Sequence, residues 1–269
     1  MDSKSVGFIG CGNIASAILG GMIGSGYITS DCVRVFDVDA AKADALHTTY
    51  GVGVCSRAED VVAACKYVFL TIKPQVYDVV LGQIKSVVRP DNCLVDVAAG
   101  VSIDFVKRSI GFDCKVVRVM PNTPLLTGHG ASALVKVPPV TDAEFDFVRG
   151  AFEASGVARV VDEDAIDAVI GASGSSPAFV FRFAKNIIEA STAAGLDADT
   201  ATALVAQTLI GSAHMILESG LSIDELIRMV SSPNGTTVAG LAQMDATGFD
   251  DSVCAAVQAA VARSKELRK

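Results

Sequence analysis

The chain has 269 residues, about half of them apolar, with no Trp and only four Tyr. Ala and Val supply much of that apolar half, the composition of a folded α/β or α protein rather than a disordered one. With 22 Lys and Arg against 30 Asp and Glu the net charge is −8, which excludes electrostatic partnership with nucleic acid or an anionic membrane surface.

In chain order, β-branched runs predict strands at Val6–Ile9, Val33–Phe36, Gly53–Cys55, Tyr67–Thr71, Cys93–Val97, Val116–Met120, Ala131–Val135 and Ala158–Val161. Helical patterns lie between most of them, at Asn13–Gly24, Ala40–Tyr50, Ala58–Ala64, Gln75–Val88, Ser102–Ser109 and Asp142–Ser155. Several strands are apolar at successive positions, as in a parallel sheet covered on both faces. After Val161 only helices are predicted: Asp164–Gly171, Pro177–Gly195, Asp199–Ser219, Ser222–Val230, Thr236–Gln243 and Asp251–Lys269. The expected class is therefore α/β, with an N-terminal Rossmann domain (doubly wound, mostly parallel sheet) over 1–161 and an all-α domain over 162–269. The helix Asp199–Ser219 is apolar on most faces. Such a helix needs cover on all sides, and a second subunit supplies it most readily, so a homodimer through the helical half is expected.

Seven Cys (Cys11, Cys32, Cys55, Cys65, Cys93, Cys114 and Cys254) are scattered without a C-x-x-C pair. They read as free thiols in a reducing compartment. The run Met1-Asp2-Ser3-Lys4 leads directly into a strand, leaving no room for a signal peptide, and no charge-free run of roughly 20 apolar residues predicts a membrane span. A cytoplasmic protein is the expectation. His47, His129 and His214 share no pattern, and no metal site is expected.

The first strand runs into Gly10-x-Gly12-x-x-Ala15 and then a helix. Gly10 makes a tight turn, Gly12 lets backbone approach a pyrophosphate, and small Ala15 lets the helix sit close to the strand. Helix-start N–H groups, with Asn13 and Ile14 at the opening, supply the positive potential that an acidic protein otherwise lacks. The second strand ends in Asp37, where a carboxylate would accept the adenosine ribose hydroxyls of a nicotinamide dinucleotide. Its charge would repel a 2′-phosphate and favour NADH over NADPH. The counter-reading has Asp37 pointing away and Asp39 capping the next helix. Ile72, Lys73 and Pro74, then Ala98, Ala99 and Gly100, then Asn122, close three further strands at the same edge. Small residues there suit a flat nicotinamide ring.

Two stretches of the helical half are unlike ordinary helix sequence. Gly171-Ala172-Ser173-Gly174-Ser175-Ser176-Pro177 reads as a small-residue turn with Pro opening a helix. Val230-Ser231-Ser232-Pro233-Asn234-Gly235-Thr236-Thr237 leads into a short helix and offers a second N-terminal anion site.

With these segments the chain resembles, end to end, the pyrroline-5-carboxylate reductases. The resemblance covers Val6–Gly10, Ile72–Pro74, Ala98–Gly100, Met120–Pro124, Ile166–Val169, Ser173–Ser175 and the highly specific Ser231–Asp245. It implies a Rossmann domain followed by a helical domain that interlocks as a homodimer, sometimes in larger rings of dimers. It implies reduction of 1-pyrroline-5-carboxylate to L-proline by NAD(P)H, the last step of proline biosynthesis. The substrate carboxylate would meet N–H groups at Gly235, Thr236 and Thr237, and the Thr237 hydroxyl would reach the ring nitrogen. Ser175 with Val230, Ser231 and Ser232 would shape the pocket. The chain departs from the family at Ser176, at Phe179 and at Asn234, where Gly, Tyr, and Gly or Lys are frequent. Two other readings compete with this one. A 3-hydroxyacid dehydrogenase would carry a catalytic Lys where this chain has Val180; Lys185 lies five residues on, about 140° around a helix. A catalytically silent NAD(P)-sensing module gives the Ser231–Thr237 segment no purpose. A reductase of a related cyclic imine also remains open from sequence.

Overall fold

A computed structural model describes residues 4–268. In chain order its elements are β1 (Val6–Ile9), α1 (Asn13–Gly24), β2 (Val33–Phe36), α2 (Ala40–Tyr50), β3 (Gly53–Val54), α3 (Ala58–Ala64), β4 (Tyr67–Leu70), α4 (Tyr77–Ile84), β5 (Cys93–Asp96), α5 (Ile103–Ile110) and β6 (Lys115–Met120). There follow β7 (Gly130–Lys136), α6 (Asp142–Glu153), β8 (Gly156–Val160), α7 (Ile166–Val169), α8 (Ser176–Ala193), α9 (Ala198–Glu218), α10 (Ile223–Met229), α11 (Thr236–Ala246) and α12 (Phe249–Glu266). Lys269, with which the last predicted helix ends, lies outside the described residues, as do Met1 to Ser3.

The described strands form one sheet in the order β3-β2-β1-β4-β5-β6-β7-β8. The first six are parallel, and β7 runs antiparallel to β6 and parallel to β8. The order 3-2-1-4-5-6 is that of two mononucleotide-binding halves meeting between β1 and β4. Strands β1, β4 and β5 are buried at every residue, which explains their unbroken apolar runs. One core joins α1, α2 and α6 to the sheet through Ile18, Leu19, Met22, Leu46 and Phe152. The other joins α3, α4 and α5 through Val61, Leu81, Ile84 and Val106. Both faces are thus covered, as the doubly wound expectation requires.

Helix ends follow local chemistry. Thr141 and Glu144 form a capping box at the start of α6, and Ser222 and Glu225 form another at α10. Gly195 and Gly220, after α8 and α9, adopt positive φ of 108° and 72°, a conformation that Cβ disfavours elsewhere.

The structure differs from the sequence expectations in two places. The predicted helix Gln75–Val88 opens as a 3₁₀ turn over Pro74–Val76 and becomes α-helical only at Tyr77. The predicted small-residue turn at Gly171–Ser176 is helical. Ile170–Gly174 forms a π turn in which the Ser175 N–H donates to the Ile170 carbonyl at 2.8 Å, so α7 widens before it ends in a bend at Ser175. Apart from these, α9 passes the length and composition test for a membrane-crossing helix, a test that core helices also pass. Its acids, Asp199 and Glu218, stand at its two ends, and Gln207, Ser212 and His214 interrupt the apolar interior.

By internal contacts the chain divides into two compact units, Met1–Ser175 with Ala260–Lys269, and Ser176–Ala259. The strands end at Val160, while the first unit runs on through α7 and the π turn and takes in the end of α12. Apolar side chains of the second unit stand open in this chain, among them Phe181, Ile210, Ile216 and Leu217, the last 79 % exposed.

Candidate active site

The parallel strands bring their C-terminal ends to one edge of the first unit. After β1 the chain turns through Gly10 at φ +97°, where an added Cβ would lie 2.5 Å from the Thr71 carbonyl oxygen. Only glycine fits. Thr71 clasps this turn: its hydroxyl donates to the Gly10 carbonyl at 2.7 Å and its N–H to the Ile9 carbonyl at 3.0 Å. Ile72 packs at the same place. Gly12 has no strained backbone, yet a Cβ there would meet nothing within 4 Å, so the surface above it is an open cradle. α1 then begins with no side-chain cap and no acid in its first turn, and its opening N–H groups have no partner within the helix. Ala15 is fully buried against the sheet. The cradle and the uncapped helix start fit the pyrophosphate of a dinucleotide.

Asp37, just past β2, accepts the Cys11 N–H at 2.7 Å and the Asp39 N–H at 2.9 Å. The carboxylate therefore faces the glycine turn, and Asp39, at the N-cap of α2, makes no capping bond with its side chain. Cys11 is buried, and burial followed by the Asp37 charge pushes its thiol up to about 12, leaving it inert. Lys73 is exposed at the lip of the edge, and Pro74 opens the 3₁₀ turn beyond it.

The Ala98-Ala99-Gly100 loop follows β5. Ala98 and Gly100 are buried and Ala99 is half-buried. The loop is held from below by Asp96, whose Oδ1 accepts the Ala98 N–H at 3.0 Å and the Tyr77 hydroxyl at 2.5 Å. Beyond β6, Asn122 is buried with its amide engaged at both ends. It accepts from the Ala131 N–H at 2.9 Å and donates to the Ser173 carbonyl at 3.2 Å. Gly174 permits the approach, since a Cβ there would lie 2.7 Å from Met120 Cε. The structure thus brings the Ser173–Ser175 turn, remote in sequence, beside the end of β6. Ser175 is half-buried there.

In the second unit, Val230-Ser231-Ser232-Pro233-Asn234-Gly235 leads α10 into α11. The Ser231 hydroxyl donates to the Ile227 carbonyl at 2.7 Å, and the Gly235 N–H closes a turn onto the Ser232 carbonyl at 3.0 Å. Asn234 sits at φ +57°, a left-handed conformation that Asn tolerates better than most residues, so this departure from the family is accommodated by the turn. A Cβ at Gly235 would come within 2.5 Å of Ser232 Oγ. Gly235 caps α11 without a side chain, leaving the first-turn N–H groups for another acceptor. Thr237 is half-buried while Val230, Ser232 and Thr236 are exposed.

Thr71, Tyr77 and Asp96 are not singled out by sequence reasoning. The signal for Asp96 is an acid inside the apolar run Leu94–Val97. Thr71 and Tyr77 give none, because their roles depend on partners 61 and 19 residues away.

Residues 163–267 match the family model described as pyrroline-5-carboxylate reductase dimerisation, and residues 5–100 match that of NADP oxidoreductase, coenzyme F420-dependent. The pyrroline-5-carboxylate reductase of Escherichia coli K12 is 36 % identical over 266 residues, covering 99 % of each chain. Among solved structures, a pyrroline-5-carboxylate reductase from Coxiella burnetii superposes with a TM-score of 0.92 at 30 % identity, covering both chains completely. The Plasmodium falciparum pyrroline carboxylate reductase, solved with NADP bound, gives 0.91 at 27 % identity, again over the whole of both chains. With full-length kinship at this identity, the chain belongs to the pyrroline-5-carboxylate reductase family.

Proposed function

We propose that this chain reduces the cyclic imine 1-pyrroline-5-carboxylate to L-proline with NAD(P)H. The observation that carries the reading is the end-to-end kinship with an enzyme of that name, spanning both the glycine turn and the Ser231–Thr237 segment.

Gly12, Asn13 and Ile14 hold the dinucleotide pyrophosphate through backbone N–H groups, Gly10 shapes the turn beneath it with its own N–H on the Phe36 carbonyl at 2.8 Å, and Asp37 meets the adenosine ribose. Ile72, Lys73, Pro74, Ala98, Ala99 and Asn122 border the nicotinamide, Asn122 by fixing the edge rather than by a free amide. When bound, the reduced dinucleotide supplies a hydride to the imine carbon, the C=N π pair passing to a nitrogen that already carries its proton. The chain's own task is orientation. N–H groups at Thr236 and Thr237 bind the substrate carboxylate beside Gly235, whose own N–H is spent on the Ser232 carbonyl; they are the positive potential that a chain of net charge −8 must supply locally. The Thr237 hydroxyl orients the ring nitrogen, Val230, Ser231 and Ser232 border the substrate beside it, and Ser175 is assigned to the reaction from the first unit. We assign cofactor binding to 1–161 and substrate binding with dimerisation to 162–269.

The choice of dinucleotide turns on Asp37. A 2′-phosphate beside its carboxylate is repelled, which favours NADH. The match of residues 5–100 to an NADP family and the NADP held by the Plasmodium relative favour NADPH. Oxidation of each dinucleotide on adding pyrroline-5-carboxylate tests both levels. Turnover with either is expected, and its absence with both refutes the reaction. In Asp37→Ser the NADH-to-NADPH ratio of kcat/KM should fall by about tenfold, on the order of 1.4 kcal/mol. An unchanged ratio removes Asp37 from the choice.

The exposed apolar side chains of α8 and α9, in a region matching a dimerisation family, support a homodimer as their cover, rather than a lipid phase. Light scattering distinguishes a dimer from a ring of dimers. The seven free thiols support a reducing, cytoplasmic setting.

A further inference from the structure

Beneath the Ala98–Gly100 loop lies a buried polar network that the reaction as described leaves without a task. Asp96 is 0 % exposed; Oδ1 accepts from Tyr77 and from the Ala98 N–H, while Oδ2 has no hydrogen-bond partner. Tyr77, equally buried, has its oxygen 3.0 Å from the Leu70 carbonyl oxygen at the end of β4. Arg118 of β6, also buried, donates to Glu163 Oε1 at 2.9 Å, and that same oxygen accepts the Ile103 N–H at 2.9 Å. In the middle of the loop, Gly100 lies so close to the backbone of Leu267 that a Cβ would stand 2.7 Å from its carbonyl oxygen. The turn carrying Leu267 is tied down by Asp167, which accepts the Ser264 hydroxyl at 2.6 Å and the Arg268 guanidinium. The segment 98–103 is therefore pinned at three points: Ala98 by Asp96, Gly100 by the C-terminal turn, and Ile103 by Glu163.

A carboxylate buried without a direct cationic partner costs stability. An apolar side chain at the end of β5 would avoid that cost and would leave the Ala98 N–H without its acceptor. The gain from the acid is local, since it fixes one N–H at the first residue of the loop that borders the nicotinamide.

We propose that Asp96, braced by Tyr77, is a positioning residue for the Ala98–Gly100 loop and sets the strength with which that loop receives the nicotinamide. The inference rests on the nicotinamide reading of this edge. Its hold on the loop depends on pH. Burial raises Asp96 to about 7 against the lowering effects of the Tyr77 hydroxyl, the Ala98 N–H and Arg118, while Glu163 adds to the rise. The groups facing it are thus Tyr77 from α4, Arg118 from β6 and Glu163 from the turn before α7. The ionised carboxylate grips an N–H more strongly than the neutral acid, so the loop tightens as pH rises through that value.

The test uses the full-length enzyme with Asp96→Asn, which keeps the Oδ1 acceptor and cannot ionise, and with Tyr77→Phe, which keeps the ring. Amide hydrogen exchange without cofactor should show lower protection at 98–103 in both variants at pH 8, with α1 unchanged. Wild type should gain protection there between pH 6 and 8, and Asp96→Asn should not. The KM for NAD(P)H should rise by about tenfold in Asp96→Asn while that for pyrroline-5-carboxylate stays within about twofold. Unchanged protection at 98–103 with an unchanged cofactor KM overturns the proposal. Protection lost across the whole first unit, with both KM values moved alike, overturns it too, as the mark of a merely structural residue. Lack of turnover in wild type refutes the proposed reaction instead, and the exchange readout then still decides whether Asp96 governs the loop.

Discussion

Thr237 stands second in α11, two residues past a glycine that its own turn requires, so its hydroxyl and the first-turn N–H groups share one short stretch of backbone. A single polar contact to the substrate nitrogen has a bounded worth. Thr237→Ala should lower kcat/KM by about 1–3 kcal/mol with the cofactor KM unchanged, and steady-state kinetics at full activity would refute the assignment. Glu144 shows the same economy away from the site. Burial opposes its charge, but bonds from Lys115 and Thr141 outweigh it and bring its pKa down from 4.5 to about 2. Between those values the unfolded chain binds a proton that the folded chain refuses. The stabilisation is therefore whole above about pH 5 and is lost as pH falls toward 2, on the order of 3 kcal/mol. Urea unfolding at several pH values should show that acid limb in wild type and its flattening in Glu144→Gln.

At the scale of elements, the contrast between helix starts is instructive. α5, α6, α9 and α10 begin with side-chain caps from Ser102, Thr141, Asp197 and Ser222. α1 and α11 begin after Gly12 and Gly235, which offer none. A capped start spends its N–H groups on the chain itself; an uncapped one, as also at α2, α3, α4 and α7, leaves them for water or a ligand. Because nothing lies within 4 Å of a Cβ at Gly12, Gly12→Ala should fold with an unchanged Tm. It should nonetheless raise the cofactor KM by about tenfold or more, since the methyl occupies the pyrophosphate's approach. A matching fall in Tm would mean that the glycine serves the fold instead. The π turn at Ile170–Gly174 belongs to this scale as well: Gly171 and Gly174 read as a loop in sequence, and the helix absorbs them by widening by one residue.

For the whole molecule, the second unit leaves a helical surface uncovered. Ile210 and Leu217 of α9 are seven residues apart, hence on nearly the same face, and both are more than half exposed. Introducing two charges there, as Ile210→Glu with Leu217→Glu, should convert a dimer into monomers by light scattering. A persisting dimer would move the interface elsewhere. The acidic net charge, by contrast, bears on partners rather than on assembly, and it makes backbone N–H groups the local source of positive potential.

The periodicity of short apolar strands and amphipathic helices determined the sheet, its helices and the glycine turn, because local backbone preferences and two-sided burial both leave marks at neighbouring positions. Gly10, Gly12 and Asp37 were legible for the same reason, lying at the ends of two such strands. Tertiary structure alone decided which distant groups meet. It set Thr71 on the Gly10 turn, Asn122 on the Ser173 carbonyl, and Tyr77 on a buried Asp96. It also decided that Asp37 faces the turn, and that the C-terminal residues return to Gly100. A hydrogen bond between residues tens of positions apart writes no periodicity into the chain, so only folding reveals it.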